Sequence, residues 1–279
     1  MNFSDCVWYV SDFKEPWEAD VIGNLAEALK TRGIPLRVYS KGGTAHLRVS
    51  EVMSWNSLTF FERMKAVLFS GKLWHLWGDS PLWWGLVRLR ARTAHTSLRA
   101  KVNWRGHPTR LFKEQATDGE NRILPTFEPK VSWTDSWLDE PDGTKLIMAP
   151  LLDVAEGKEI VESWGALCEE SDGKCGKIFV MADDSPTNAL QAAYVTMRGV
   201  PVVARDAPLI REILGYGGYV VAPASCDKPE WEKALRTAAS DAGRSISAAA
   251  RRFLKENYGA PAAAESLESL YGAISRDKP

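Results

Sequence analysis

The sequence predicts an α/β protein of two Rossmann-like lobes facing a central cleft, spanning residues 1–135 and 136–279, and three observations predict it. At 279 residues the chain lies where one hydrophobic core stops growing and two become the expected solution. Short apolar runs alternate with stretches of helical period along most of its length, as parallel sheets with crossover helices require. The alternation breaks over Glu128 to Thr144, a charged, turn-rich and poorly periodic stretch suited to a linker.

Taken in order, Cys6 to Val10 is an apolar strand. Trp17 to Lys30 is a helix with Val21, Leu25, Ala28 and Leu29 on one face, stopped by Gly33, and Ile34 to Ser40 is the next strand. Phe60 to Phe69 (helix), Lys72 to Trp77 (strand), Pro81 to Leu89 (helix opened by proline) and Arg92 to Ser97 (strand) continue the pattern. Arg110 to Glu114 and Arg122 to Pro125 are the last strands of this lobe. The second series runs Lys145 to Pro150 (strand), Gly157 to Glu170 (helix), Lys177 to Ala182 (strand) and Thr187 to Met197 (helix). It continues through Val200 to Ala204 (buried strand), Leu209 to Leu214 (helix) and Tyr219 to Ala222 (strand). Glu230 to Ala239, Ser245 to Glu256 and Ala260 to Ile274 close the chain as helices.

Thirty-five Lys and Arg against 36 Asp and Glu leave a net charge of -1, so no global field points to nucleic acid. Met1 to Ser11 lacks the pattern of a secretory leader, and no apolar stretch approaches the roughly 18 residues of a membrane span. A cytoplasmic protein is expected, with peripheral contact at a membrane left open. Cys6, Cys168, Cys175 and Cys226 lack metal-ligand spacing and are expected to be reduced, mostly structural thiols. Phosphate-loop, paired-ligand metal and nucleophile-elbow motifs are absent from the sequence.

The most informative stretch runs from Ser185-Pro-Thr-Asn through Gly199-Val-Pro-Val-Val-Ala204 and Ile210-Arg-Glu212-Ile to Gly218-Tyr-Val-Val-Ala-Pro223. It resembles the second lobe of group 1, family-four glycosyltransferases of the GT-B type. In the first lobe, Trp74-His-Leu-Trp-Gly78 and Arg92-Thr-Ala-His95-Thr resemble that family's strand-end glycine and Thr-x-His motif. The resemblance implies a transferase moving a sugar from a nucleotide-diphosphate donor to a glycan or lipid-linked acceptor with retention. The nucleotide sugar is then a co-substrate, and neither cofactor nor metal is needed. It places His95 at the reacting sugar and Ser185, Pro186, Thr187, Asn188 and Glu212 at the donor; a loop opening a helix supplies backbone N–H groups that favour phosphate.

The same residue types at 185–188 are also good helix caps. The family's Arg and Lys after the first strand of the second lobe are missing from Ala149 to Gly157, and its paired glutamates are missing from Asp184 to Tyr194. These losses motivate a second reading, a catalytically degenerate GT-B subunit that binds glycan or supports a partner transferase. A sugar-nucleotide epimerase, sharing the architecture, is a third. Of 12 Trp, eight lie between Trp55 and Trp137, suited to stacking on sugar rings or to plain core packing. Arg88, Arg90, Arg92, Arg99, Lys101 and Arg105 could hold a lipid phosphate or form a solvated basic face. His75, inside a strand, is expected to be structural.

Overall fold

The computed structural model describes residues 6–11, 16–41, 52–69, 73–79, 81–96, 107–110, 121–127, 145–148, 154–171, 175–181, 184–224 and 227–276. The expected linker at Glu128 to Thr144, with Trp104, Trp133, Trp137, Arg99, Lys101, Arg105, Asp183 and Cys226, lies outside them. The chain forms two compact units, residues 1–131 with 258–279, and residues 132–257.

The first unit runs β1 (Cys6–Val10), α1 (Pro16–Thr31), β2 (Leu36–Ser40), β3 (Val52–Ser54), α2 (Phe60–Phe69), β4 (Leu73–Trp77), α3 (Trp84–Arg88), β5 (Arg92–Thr96), β6 (His107–Arg110) and β7 (Asn121–Arg122). Its strands pair in parallel in the order β3-β2-β1-β4-β5-β6-β7. Strand order therefore reverses between β1 and β4, the arrangement of a doubly wound nucleotide-binding sheet. β3 is too short, at three residues, to carry an alternating signal, and was not expected. β6 lies at His107–Arg110, and of the strand expected at Arg110 to Glu114 all but Arg110 lies outside the described residues. Proline-initiated helix was expected at Pro81; instead Trp84 N–H donates to Pro81 O at 3.0 Å in a turn, and α3 starts at Trp84.

The second unit runs β8 (Lys145–Met148), α4 (Val154–Glu170), β9 (Lys177–Met181), α5 (Pro186–Met197), β10 (Val202–Ala204), α6 (Pro208–Leu214), β11 (Val220–Val221), α7 (Lys228–Ala239) and α8 (Asp241–Asn257). Its described strands pair in parallel in the order β11-β10-β9-β8. Ile160, Ile178, Val180, Val203, Trp231 and Leu235 form its core. At Gly218 a Cβ would lie 2.1 Å from the Leu214 carbonyl oxygen, so the turn that ends α6 admits only glycine without rearrangement.

The last helix, α9 (Ala260–Arg276), belongs to the first unit, whereas the sequence placed it with the second lobe. Its apolar stripe says that one face is buried but not against which sheet. The choice is made by polar contacts that hydropathy does not report. Ser266 Oγ accepts from Leu124 N–H at 3.0 Å, and Arg92 donates to the Ser275 carbonyl. Trp8 Nε1–H donates to Tyr271 Oη at 2.7 Å, and Tyr271 Oη meets His75 Nδ1 at 2.8 Å. His75 Nε2 meets Thr96 Oγ1 at 2.7 Å. Because indole only donates, the phenol accepts from Trp8, and its bond to His75 Nδ1 and that of His75 Nε2 to Thr96 run in the direction that the imidazole tautomer sets. A fully buried polar relay thus ties α9 to β1, β4 and β5.

His75 is indeed structural. Burial, with repulsion from His95 second, holds its pKa well below the ordinary histidine value. The unfolded chain therefore takes up a proton below about pH 6.5 that the folded chain refuses, and stability falls as pH drops through that window. We expect the unfolding free energy to decline by up to about 1.4 kcal/mol per pH unit below pH 6 from this residue. Denaturant titrations of the parent and of His75→Gln check this: the variant's slope between pH 6.5 and 5 should be shallower, and equal slopes would refute it.

Candidate functional site

Two strand edges carry the candidate residues, one in each unit. In open α/β sheets the carboxyl ends of the strands beside the reversal point form the natural crevice. In the first unit Ser11 follows β1, and Gly78 with Asp79 follows β4. Ser11 N–H donates to Trp77 O at 3.0 Å, and Asp79 N–H donates to Ser11 Oγ at 2.9 Å, which staples the two strand ends together. Gly78 has φ +90°, and a Cβ there would lie 2.1 Å from Ser11 Oγ, so glycine is required twice over.

Above this staple lies a cavity of about 300 Å³ lined by Tyr9, Ser11, Lys41, Trp55, Asn56, Arg63, Asp79, Pro81 and Trp83. Trp55 and Trp83 stack with ring centroids 4.6 Å apart, and Tyr9 meets Trp83 edge-on at 4.8 Å and Trp55 at 5.3 Å. Arg63 donates to the Trp55 and Asn56 carbonyls at 3.1 and 3.0 Å, fixing its guanidinium against the wall. Asn56 Nδ2 donates to Lys41 O at 2.8 Å. The site offers flat aromatic faces, two cations and one carboxylate within one pocket, the combination that recognises a polyhydroxylated, partly anionic ligand.

Sequence reasoning missed Tyr9, Lys41, Arg63 and Asp79. Each stands at or just past a strand end or on a short helix, where only the sheet order brings them together. Of the five described tryptophans between Trp55 and Trp84, Trp74, Trp77 and Trp84 are core, and Trp55 and Trp83 line the cavity.

His95, expected at the reacting sugar, is fully buried, and Nε2–H donates to Gly78 O at 2.7 Å. The carbonyl can only accept, so Nε2 carries the proton. Gly78 N–H in turn donates to Thr96 O at 2.9 Å. His95 therefore holds the strand end that presents Asp79, and it does not line the cavity.

In the second unit, Ser185 caps α5: its Oγ accepts from Asn188 N–H at 3.2 Å, with Pro186 in the first helical turn. Pro186 has no N–H, and the Ala189 N–H is bound to Ser185 O at 2.9 Å. Much of the helix N-terminus is thus satisfied from within. The Asn188 side chain is buried, and Glu212 is half-buried on α6. For Pro186 and Thr187 the backbone alone is described.

At the end of β10, which pairs with β9, Arg205 pairs with Glu156 at 2.8 Å. Glu156 sits 2% exposed in the first turn of α4, where an acid is also favoured by the helix dipole. Arg205 is a cation at the carboxyl edge that the sequence reading passed over, although Ala204-Arg-Asp directly follows a buried strand. Its neighbour Asp206 is gripped by Arg211 at 2.7 and 2.8 Å and by Tyr219 Oη. These bonds, from Arg211 first, hold the Asp206 carboxyl below its ordinary range.

No protein-family model matches the chain, and no curated protein sequence does. Solved structures match it along nearly its whole length at low identity. AviGT4, a glycosyltransferase involved in avilamycin A biosynthesis, superposes with a TM-score of 0.63 at 13% identity, covering 98% of this chain and 99% of that one. Anabaena Alr3699/HepE, in complex with UDP and glucose, gives 0.58 at 10%, covering 96% and 100%. A putative UDP-N-acetylglucosamine 2-epimerase from Listeria monocytogenes gives 0.57 at 13%, covering 98% and 97%. At such identities the likeness is one of fold: two Rossmann-like units, the fold of GT-B glycosyltransferases.

Proposed function

We propose that this protein transfers a sugar from a nucleotide-diphosphate donor to a glycan or lipid-linked acceptor. The observation that carries the reading is the cavity at the β1–β4 reversal, whose stacked Trp55 and Trp83, Asp79, Lys41 and Arg63 suit a sugar acceptor. The fold it stands in is shared with proteins that handle nucleotide sugars, HepE with bound UDP and glucose among them.

In this reading the acceptor sugar lies against the tryptophans, with a hydroxyl hydrogen-bonded to Asp79. The donor's diphosphate lies at the second unit's carboxyl edge, near Ser185 to Asn188, with Arg205 at the end of β10 as a cation on that edge and Glu212 toward the ribose. The bond from sugar C1 to the phosphate oxygen breaks, a bond from C1 to the acceptor oxygen forms, and the nucleoside diphosphate leaves, taking up the acceptor's proton. Retention is carried over from the second unit's resemblance. His95 works as a positioning residue through Gly78.

The second reading, a glycan-binding subunit without catalysis, is favoured by a specific observation: Arg205 is already paired with Glu156, and the α5 N-terminus is already capped. Incubation with labelled nucleotide sugars, with and without acceptor glycans, decides between them. Label moving to acceptor is the expected result; an epimerised donor without acceptor would mean an epimerase, and unchanged donor under all conditions would leave the glycan-binding reading.

A further inference from the structure

Exposed large apolar side chains are concentrated on one part of the first unit. Phe60, Phe61 and Phe69 on α2 and Leu82, Leu86 and Leu89 along α3 are all exposed, Phe61 and Leu89 at 82% each. On α2, helical spacing puts Phe61, Met64, Lys65 and Leu68 opposite the buried Ala66 and Val67, so the outward face is as apolar as the inward one. Leu86 on α3, with Leu82 in the turn before it and Leu89 just after it, is exposed, while Trp84 and Val87 of the same helix are buried. The two helices are neighbours, so these exposed side chains lie on adjoining elements of the first unit. A soluble surface scatters its exposed apolar residues; a contiguous patch marks an interface.

The charges on the same surface identify its partner. Residues 81–91 contain Arg88 and Arg90 and no acidic residue, and α2 adds Lys65. Its single carboxylate, Glu62, is occupied as a cap, accepting from Thr59 N–H at 2.7 Å and Thr59 Oγ1 at 2.8 Å. Lys65, Arg88 and Arg90 are exposed. In a chain whose net charge is -1, this face carries an excess of cations among its described residues. Phenylalanine and leucine rimmed by arginine and lysine is the chemistry of a surface that enters the headgroup region of an anionic bilayer.

We propose that the α2–α3 face docks this protein on an anionic membrane surface. The cavity adds a consequence. Arg63 of α2, with Pro81 and Trp83 just before α3, lines it, so the docking helices also form the wall of the acceptor pocket. An acceptor whose headgroup projects from the bilayer would enter the pocket beside the point of docking, which names the acceptor class as a lipid-linked sugar or lipid phosphate. That consequence rests on the transfer reading, whereas docking does not.

Co-sedimentation of the full chain with phosphatidylglycerol vesicles and with pure phosphatidylcholine vesicles, without donor or acceptor, tests docking alone. The chain is expected to partition onto phosphatidylglycerol and to be released by salt. Arg88→Glu with Arg90→Glu, two exposed changes that leave the core untouched, should weaken binding about fivefold or more per cation. Phe61→Ser with Leu82→Ser and Leu89→Ser should weaken it about tenfold or more. Failure to bind, equal binding to both lipids, or parent-like binding by both variants would overturn the proposal. So would a concentration-dependent dimer, seen by sedimentation velocity and abolished by the serine variant, because the face would then be a contact between copies. If docking holds and no sugar is transferred, only the acceptor assignment falls.

Discussion

Tyr271→Phe is expected to destabilise the first unit by about 2–4 kcal/mol, although it removes a single oxygen atom. The phenol oxygen accepts from Trp8 Nε1–H at 2.7 Å and meets His75 Nδ1 at 2.8 Å, and both rings are fully buried. Phenylalanine would fill the space and take away the oxygen that Trp8 Nε1–H and His75 Nδ1 share, each lost bond at a buried polar group costing about 1–3 kcal/mol. The cost is borne there because burial also keeps the phenol protonated, its pKa pushed well above the ordinary tyrosine value, so it is poised as a donor. Urea titration followed by a first-unit probe measures it. A loss below about 0.5 kcal/mol would mean that water or a shifted tautomer replaces the relay.

Gly78→Ala is expected to distort the cavity beside Asp79 while leaving most of the fold in place. At φ +90° an alanine pays roughly 1–3 kcal/mol of backbone strain. Its Cβ would also lie 2.1 Å from Ser11 Oγ, so the serine must turn away and lose the bond from Asp79 N–H. Asp79 would then no longer be presented by a stapled strand end. On the transfer reading we expect kcat/KM for the acceptor to fall by about a hundredfold, the scale of a misplacement near 1 Å, with donor affinity unchanged. Ser11→Ala separates the two causes, because it removes the hydroxyl bond without strain; it should reproduce part of the activity loss and little of the stability loss.

Much of the fold could be read from the sequence, because its strands are buried on both sides and its helices carry one apolar stripe. β1, β4, β5 and β9 lie within a residue or two of their expected limits, and α2 coincides with its own. What could not be read is long-range choice. Nothing in the period of Ala260 to Ile274 says that Tyr271 reaches Trp8 and His75, and nothing in Arg63 or Asp79 says that they share a pocket. The resemblance to a family drew attention to His95 through its Thr-x-His motif, but whether an imidazole faces a pocket or grips a neighbouring carbonyl depends on the adjoining strand end. In the second unit, Ser185 suited both a cap and a phosphate loop by residue type; the bond to Asn188 N–H shows it working as a cap.

Donor binding is the most direct test of glycosyl transfer, because the second unit lacks the family's expected cations and instead offers Arg205 paired with Glu156. Calorimetric titration of the full chain with UDP, GDP and their common sugar conjugates, repeated on Ser185→Ala with Asn188→Ala and on Arg205→Ala, measures it. The account predicts saturable binding of one nucleotide, weakened by both sets of substitutions. Heat changes no larger than dilution for every nucleotide tested would contradict it and leave a glycan-binding protein on a transferase fold.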